Sequence, residues 1–412
     1  MARNKRAVIS TVFIAVVVAL TGSLVLFLGS VAQADSPSHR VVASKVTHGP
    51  KQLSELLASN AWTGDDFGWS VAVSGSTAVV GAPYASSYTG AAYIFTKSGS
   101  TWTQTQELTA SDAAPGNEFG WSVAISGSTV AVGSPGTYYG IGNAYVFTES
   151  GGIWTQQGEF NNTSGTDSAT GGDKFGYSVV TSGSLVMVGA DGHSARTGAV
   201  YVYADNAGTW SPQTVLTAAD GIPSDMFGWS MAVDGSTLVV SAVQHRANGA
   251  IYVFTDTGGI WTQAAELTAG DGQADDYFGD KVAISGTRIV AGAPGHDSVT
   301  GAAYVFSGSG AHWNQVGELT ASDGADNNCF GWSVGLSGST VLVGAEQHAS
   351  GTGAAYVFKK AGSTWKQKSE LTAGDAASGN EFGYSASLSG TTAVIGSDNA
   401  EGGAGSAYIF NV

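Results

Sequence analysis

The chain has 412 residues and a formal net charge of −16, with 60 glycines, only 8 prolines and one cysteine. This acidic balance argues against binding to nucleic acid or to an anionic membrane surface. The single Cys329 excludes an intramolecular disulfide, so stability must come from burial.

The first predicted element, in chain order, is a targeting segment at residues 1–34. Three basic residues in "MARNKR" precede a long apolar run, and "AQA" at Ala32–Ala34 offers small residues for cleavage. The run is long enough to remain uncleaved as a membrane anchor, and both outcomes leave the rest of the chain outside the cytoplasm. We therefore expect a secreted or extracellular protein, with membrane contact only through this segment, and a linker at residues 35–50.

Residues 51–412 repeat one unit of roughly fifty residues. The pair Phe-Gly marks each copy and occurs at Phe67, Phe119, Phe175, Phe227, Phe278, Phe330 and Phe382. A fixed period of this length indicates a propeller, a solenoid or an array of units that cannot bury a core alone.

Each unit contains four strand-like runs. In the second copy they are Trp121–Ser126, Thr129–Ser134, Asn143–Phe147 and Trp154–Phe160. A two-residue link containing glycine joins the first two runs, which is a strong hairpin signal. Four antiparallel strands in each of seven units predict an all-β, seven-bladed β-propeller.

The two ends of the repeat region complement each other. The last unit stops after its third strand, "SAYIFNV", while Lys51–Ser59 resembles the fourth-strand sequence of the other units. The N-terminal strand is therefore predicted to complete the last blade and close the ring, which removes open sheet edges. An open solenoid would need no such split unit.

The stretch "FGWSVAVSGSTAVVGAPYASSYTGAAYIF" from Phe67 resembles the FG-GAP repeat, the blade of the integrin α-subunit propeller and of many secreted microbial proteins. "GAP" is intact at Gly81–Pro83 and Gly292–Pro294 and altered in the other five units. The family often carries a calcium loop between the first and second strands. Here that position reads "SGST" or a close variant with too few oxygen ligands, so we expect no calcium, no other metal and no cofactor.

Antiparallel connectivity divides the predicted propeller into two faces. The short turns between first and second strands, and between third and fourth strands, lie on one face. All longer and more varied connections lie on the other, where binding residues usually sit. The resemblance implies the same, because integrins meet their ligands with the corresponding face.

Acidic and amide residues decorate this second face. One set lies two positions before each Phe: Asp65, Asn117, Asp173, Asp225, Asp276, Asn328 and Asn380. Another lies seven positions before it: Asp112, Asp220, Asp271, Asp323 and Asp375. We expect both sets to close turns by bonding nearby backbone N–H groups, with surface cation binding as the alternative.

Four of the seven histidines share one repeat position: His193, His245, His296 and His348. We expect them to be solvated loop residues, with a ring of weak sugar or peptide contacts as the alternative. Histidines of neighbouring blades would lie too far apart to share one metal ion, whose bonds are about 2 Å long.

A third set follows each Phe-Gly pair: Trp69, Trp121, Tyr177, Trp229, Asp280, Trp332 and Tyr384. The resemblance implies that these residues surround the mouth of the central channel, where the integrin ring forms a cage for a basic side chain. Asp280 interrupts the aromatic residues with a negative charge that would also suit a cation. The alternative is that the rings only pack between blades.

The sequence contains no local motif for a nucleophile with its base, a phosphate loop or a zinc site. It predicts a monomeric, non-catalytic module for adhesion or recognition of an extracellular protein. A lectin with a glycan ligand, an enzyme with its site in one blade and a scaffold without a small ligand remain as alternatives.

Overall fold

The computed structural model describes residues 50–136, 140–161 and 172–412. The predicted targeting segment and almost all of the predicted linker lie outside the described residues. Within those ranges, no helix combines the length and the apolar character needed to cross a membrane.

The fold consists of seven four-stranded antiparallel sheets, which confirms the predicted all-β, seven-bladed propeller. We number the blades 1 to 7 in the order of their Phe-Gly pairs. The first strands of the blades are Ser70–Ser74, Ser122–Ser126, Ser178–Ser182, Phe227–Asp234, Val282–Ser285, Ser333–Ser337 and Ser385–Ser389. The second strands are Thr77–Ala82, Thr129–Ser134, Leu185–Ala190, Thr237–Ala242, Arg288–Ala293, Thr340–Ala345 and Thr392–Ser397.

The outer half of each blade holds the third and fourth strands. The third strands are Ala91–Ser98, Asn143–Ser150, Ala199–Asn206, Ala250–Thr257, Ala302–Ser309, Ala354–Ala361 and Ser406–Asn411. The fourth strands are Thr101–Leu108, Ile153–Asn161, Thr209–Leu216, Ile260–Leu267, His312–Leu319, Thr364–Leu371 and, in blade 7, Gln52–Leu56.

The ring closes where the two ends of the repeat region meet. Gln52–Leu56 pairs antiparallel with Ser406–Asn411 and supplies the fourth strand of blade 7. Between blades 7 and 1, the Ser385 hydroxyl donates to the Gly68 carbonyl at 2.6 Å. The predicted closure by the N-terminal strand is therefore confirmed.

The hydrophobic core lies between the blades. Buried apolar residues of the described chain form seven clusters, each shared by two neighbouring blades. The Phe of every Phe-Gly pair is 0% exposed. Phe67, for example, packs edge-on against Tyr93 and Phe95 of the third strand, with ring centroids 5.5 and 5.9 Å away. Blade-to-blade burial therefore stabilises the ring.

The glycines of the two repeat motifs meet across the blade interfaces. A Cβ atom on Gly133, in the "GAP" position of blade 2, would lie 1.9 Å from the carbonyl oxygen of Gly176 in blade 3. Blade 4 has Ser241 at this position, and its hydroxyl bonds Ser230 within the blade. The first strand of blade 5 begins at Val282. Close backbone approach therefore favours glycine at positions such as Gly133.

We call the end of the propeller with the hairpin turns the turn face. Its turns have two residues, as in blade 2, where Ser126 pairs with Thr129 across Gly127 and Ser128. Gly127 has φ +58°, and a positive φ at the first turn residue alone is typical of a type II′ turn. The predicted hairpins are confirmed.

The opposite end, the loop face, carries the second-to-third and fourth-to-first connections that the structure describes. Among these described residues, six second-to-third connections contain a short helical segment: Ala85–Tyr88, His193–Arg196, His245–Ala247, His296–Val299, His348–Gly351 and Ala400–Gly403. Left-handed residues within them turn backbone carbonyls toward the next blade. Val299, with φ +65°, accepts a hydrogen bond from the Cys329 N–H at 2.9 Å. Such ties hold the loop face in one arrangement.

Candidate functional site

The residues that follow the Phe-Gly pairs come together around the propeller axis. All seven line one central cavity of about 450 Å³. The Trp69 ring lies 4.6 Å from Trp121 and 5.0 Å from Tyr384, measured between centroids, and Tyr177 lies 4.7 Å from Trp229. Each of the six aromatic residues is only partly buried. We call these six residues and Asp280 the axial ring.

Asp280 gives the axial ring its charge. The Trp229 indole N–H donates to one carboxylate oxygen at 3.1 Å, and the Lys281 ammonium lies 3.2 Å from the other. The same ammonium lies 5.9 Å from the centre of the Trp229 ring, and the Lys174 ammonium lies 5.3 Å from that of Tyr177. Two cations of the chain itself therefore already lie at cation–π distance.

Three buried carboxylates, which sequence reasoning missed, belong to the same face. Asp191, Glu346 and Asp398 replace the proline of "GAP" in blades 3, 6 and 7 and are 0%, 6% and 5% exposed. Burial raises the pKa of Asp191 to about 6, and burial together with Glu381 raises the pKa of Glu346 and of Asp398 to about 8. A carboxylate deprived of water favours the neutral acid.

Neither oxygen of Asp191 nor Oδ1 of Asp398 has a hydrogen-bond partner within the described part of the chain. Glu346 lies close enough to Asp280 and Lys281 for their charges to act on its pKa. The replacement of proline by an acid in three "GAP" positions was the sequence signal that could have revealed this group.

The histidines and the acidic set before each Phe are partners of each other. Each Nδ1 atom lies near the side chain twenty positions earlier: His193 and Asp173 at 3.0 Å, His245 and Asp225 at 2.8 Å, His296 and Asp276 at 2.9 Å, His348 and Asn328 at 3.0 Å. Asp225 also accepts the Ile222 N–H at 2.8 Å, so the predicted turn-closing role is confirmed there. The sequence predicted both sets but not their pairing.

The prediction that the histidines are solvated is wrong for His245, which is 2% exposed. At this degree of burial, His245 cannot offer its ring face to a sugar or peptide. His193, His296 and His348 keep side-chain exposures of 29%, 16% and 18%. Burial alone would lower the pKa of His296, but the bond to Asp276 and nearby carboxylates outweigh it and raise that pKa.

The second acidic set contacts a tyrosine of the third strand in several blades. The Tyr252 hydroxyl donates to Asp220 at 3.0 Å, and Tyr252 faces Glu266 across the sheet. In blades 4, 5 and 6 these acids meet the histidine, with candidate ligand atoms of the three side chains within 4.8 Å of one another. The sets are Asp220, His245 and Glu266; Asp271, His296 and Glu318; and Asp323, His348 and Glu370.

The calcium loops that the resemblance implies do not fit this chain. Their position is occupied by the two-residue turns of the turn face, such as Gly127 and Ser128. Calcium takes six to eight oxygen ligands, which such a turn cannot supply. The expectation of no calcium at these hairpins stays a prediction, and it does not cover the side-chain sets of the loop face.

The family model described as FG-GAP repeat matches seven segments of the chain: 50–95, 102–147, 154–203, 210–254, 261–306, 313–358 and 365–410. The chain belongs to the FG-GAP repeat family. Each segment of this FG-GAP protein begins in an outer strand and ends in the third strand of the next blade, so repeat and blade are offset by one strand. A search of curated proteins found no match.

Proposed function

We propose that this FG-GAP propeller is a secreted or surface-tethered, non-catalytic binding module that recognises an extracellular protein with its loop face. The observation that carries the proposal is the axial ring, in which six partly exposed aromatic residues and Asp280 surround one cavity on the axis. Binding residues commonly lie on loops held by a rigid scaffold. A propeller of seven interlocked blades is such a scaffold.

The chemistry of the axial ring favours a basic side chain as the part of the partner that enters. Aromatic faces attract a Lys or Arg cation electrostatically, and the attraction grows when water is excluded. Lys281 and Lys174 already adopt this geometry at Trp229 and Tyr177. An incoming cation would take over the aromatic faces that these two flexible side chains leave free.

The buried acids add to this preference. At neutral pH a carboxylic acid with a raised pKa is partly protonated, and a cation nearby favours its ionised form. Asp398, with a pKa of about 8, would therefore release a proton when a basic group binds close to it. The net charge of −16 would also attract a basic partner from a distance.

Affinity capture from an extracellular protein fraction tests the proposal. The wild-type protein is compared with a Trp121→Ala, Trp229→Ala, Trp332→Ala variant of the axial ring. A matched control carries Trp210→Ala, Trp313→Ala and Trp365→Ala in fourth strands, far along the blade from the axis. We expect the control to keep the partner and the ring variant to lose it.

The alternatives predict other results. Equal capture by the ring variant and the wild type would contradict recognition at the axial ring. Several equivalent weak sites on a glycan array, with no protein partner, would favour the lectin. Turnover of a substrate that depends on one blade alone would favour an enzyme.

A further inference from the structure

We propose that the three Asp–His–Glu sets on the loop face, in blades 4, 5 and 6, bind a divalent transition metal of the Zn²⁺ type, with one ion in each set. The strongest set is Asp220, His245 and Glu266 in blade 4. The sequence predicted no metal because histidines of different blades lie too far apart to share an ion. The structure instead places carboxylates beside the histidine of the same set.

The state of His245 points to a ligand. Its Nδ1 lies 2.8 Å from a carboxylate oxygen of Asp225, and because a carboxylate only accepts hydrogen bonds, Nδ1 is the donor; in the neutral ring Nε2 then keeps its lone pair. Nε2 is buried and has no hydrogen-bond partner within the described residues. A histidine whose other nitrogen bonds a carboxylate is the common arrangement of metal-ligating histidines.

The free nitrogen is directed at two carboxylates. Nε2 lies 3.4 Å from Asp220 Oδ2 and 3.8 Å from Glu266 Oε1. Ligands at 2.0–2.2 Å around a tetrahedral ion lie roughly 3.3–3.6 Å from each other. When the ring is neutral, the Nε2 lone pair and the two anionic oxygens repel one another, and a cation at their centre relieves the repulsion.

The donor set selects the class of metal. One imidazole and two carboxylates suit Zn²⁺ and similar ions, whereas Ca²⁺ requires more oxygen ligands. Three protein ligands would leave a fourth position for water or for a group of a partner. The Arg246 guanidinium, 2.9 Å from Asp220 Oδ2, competes for that oxygen but is 67% exposed and can move into solvent.

The other blades show which residues are needed. Blade 3 has the histidine and its carboxylate partner, His193 and Asp173, but Val215 occupies the position of Glu266. Blades 1 and 7 have the glutamate, but Ala85 and Ala400 occupy the position of His245. The complete set occurs in blades 4, 5 and 6, and His193 is a natural matched control.

Isothermal titration of the metal-free, full-length protein with ZnCl₂ tests the proposal. The variant Glu266→Gln, Glu318→Gln, Glu370→Gln removes one ligand from each set, and amide side chains of the same shape preserve the fold. We expect the wild type to bind Zn²⁺ and the triple variant to bind it at least about tenfold more weakly. His193→Ala is expected to bind like the wild type, and Arg246→Ala to bind more tightly in blade 4.

A spectroscopic readout separates coordination from a structural effect. Co²⁺ bound to the wild type should give the visible absorption of a four-coordinate ion, and the triple variant should lose it while its circular dichroism is unchanged. The proposal is overturned if the wild type binds no Zn²⁺ or if the triple variant binds it equally well. It is also overturned if His193→Ala weakens binding as much as the triple variant.

Discussion

The same repeat gives the propeller one face of nearly identical turns and one face of varied connections. On the turn face, hairpins of two residues recur with almost the same sequence, and a Cβ on Gly127 would meet nothing within 4 Å. On the loop face, the connections differ from blade to blade and bury polar side chains such as Asp191, Asp398 and His245. The turn face is therefore nearly the same in every blade, whereas the loop face differs between blades.

The two faces also differ in the burial of their acidic side chains. On the turn face, Asp234 is exposed to solvent. On the loop face, burial raises the pKa of Asp66 to about 6 and that of Asp398 to about 8. A buried acid with an unpaired oxygen, such as Asp398 among the described residues, lowers the stability of the fold, and such sites are commonly retained for binding.

The largest expected difference in stability is between substitutions of two glycines of blade 2, Gly133 at a packed blade interface and Gly127 in an open turn. Gly133→Ala places a Cβ against the Gly176 carbonyl, so blades 2 and 3 must separate locally. We expect a loss of about 3 kcal/mol in the free energy of unfolding. Denaturant unfolding followed by circular dichroism measures it, and a loss below that of Gly127→Ala would contradict the close packing.

The next effect concerns the buried acid of blade 7. Because the folded pKa of Asp398 is raised from 3.8 to about 8, the unfolded state binds fewer protons between those values, and stability falls as pH rises through that window. Asp398→Asn removes this penalty. We expect the variant to gain about 2–4 kcal/mol over the wild type at pH 8–9, and little below pH 4.

Unfolding titrations at several pH values would check the sign. An Asp398→Asn variant with a wild-type pH profile would show that Asp398 is ionised in the fold.

The smallest expected loss of stability is that of a substitution on the turn face. Gly127→Ala meets open space but must adopt φ +58°, which costs an alanine about 1 kcal/mol. The substitution should lower stability by that amount without changing binding at the loop face. A loss as large as that of Gly133→Ala would mean that the turn face is packed as tightly as the blade interface.

Sequence reasoning predicted the fold because seven copies of one pattern fix strand number, turn type and closure together. The resemblance to the FG-GAP family, rather than the repeat period itself, implied the position of the axial ring. Sequence reasoning missed the pairing of His245 with Asp225, although a constant spacing of twenty residues in four blades was a signal. It could not show that His245 is buried. That burial depends on how the segment leading into blade 4 packs against the second-to-third connection of the same blade.

The buried acids were missed for a related reason. Asp398 occupies the proline position of an altered "GAP" motif. The motif shows which residue is replaced but not whether the new side chain is buried. Its raised pKa comes from burial, with Glu381 and Asp66, distant in sequence, adding to it. Glu266 was not considered because a glutamate in an outer strand ordinarily faces water.

The central claim, recognition of a basic group at the axial ring, is tested most directly by NMR of the tryptophan indoles. The protein is labelled with ¹⁵N-tryptophan and titrated with a short arginine-containing peptide. The account predicts that the indole signals of Trp69, Trp121, Trp229 and Trp332 shift, while those of outer-strand tryptophans such as Trp154 do not. Shifts confined to the outer strands, or none at saturating peptide, would contradict it.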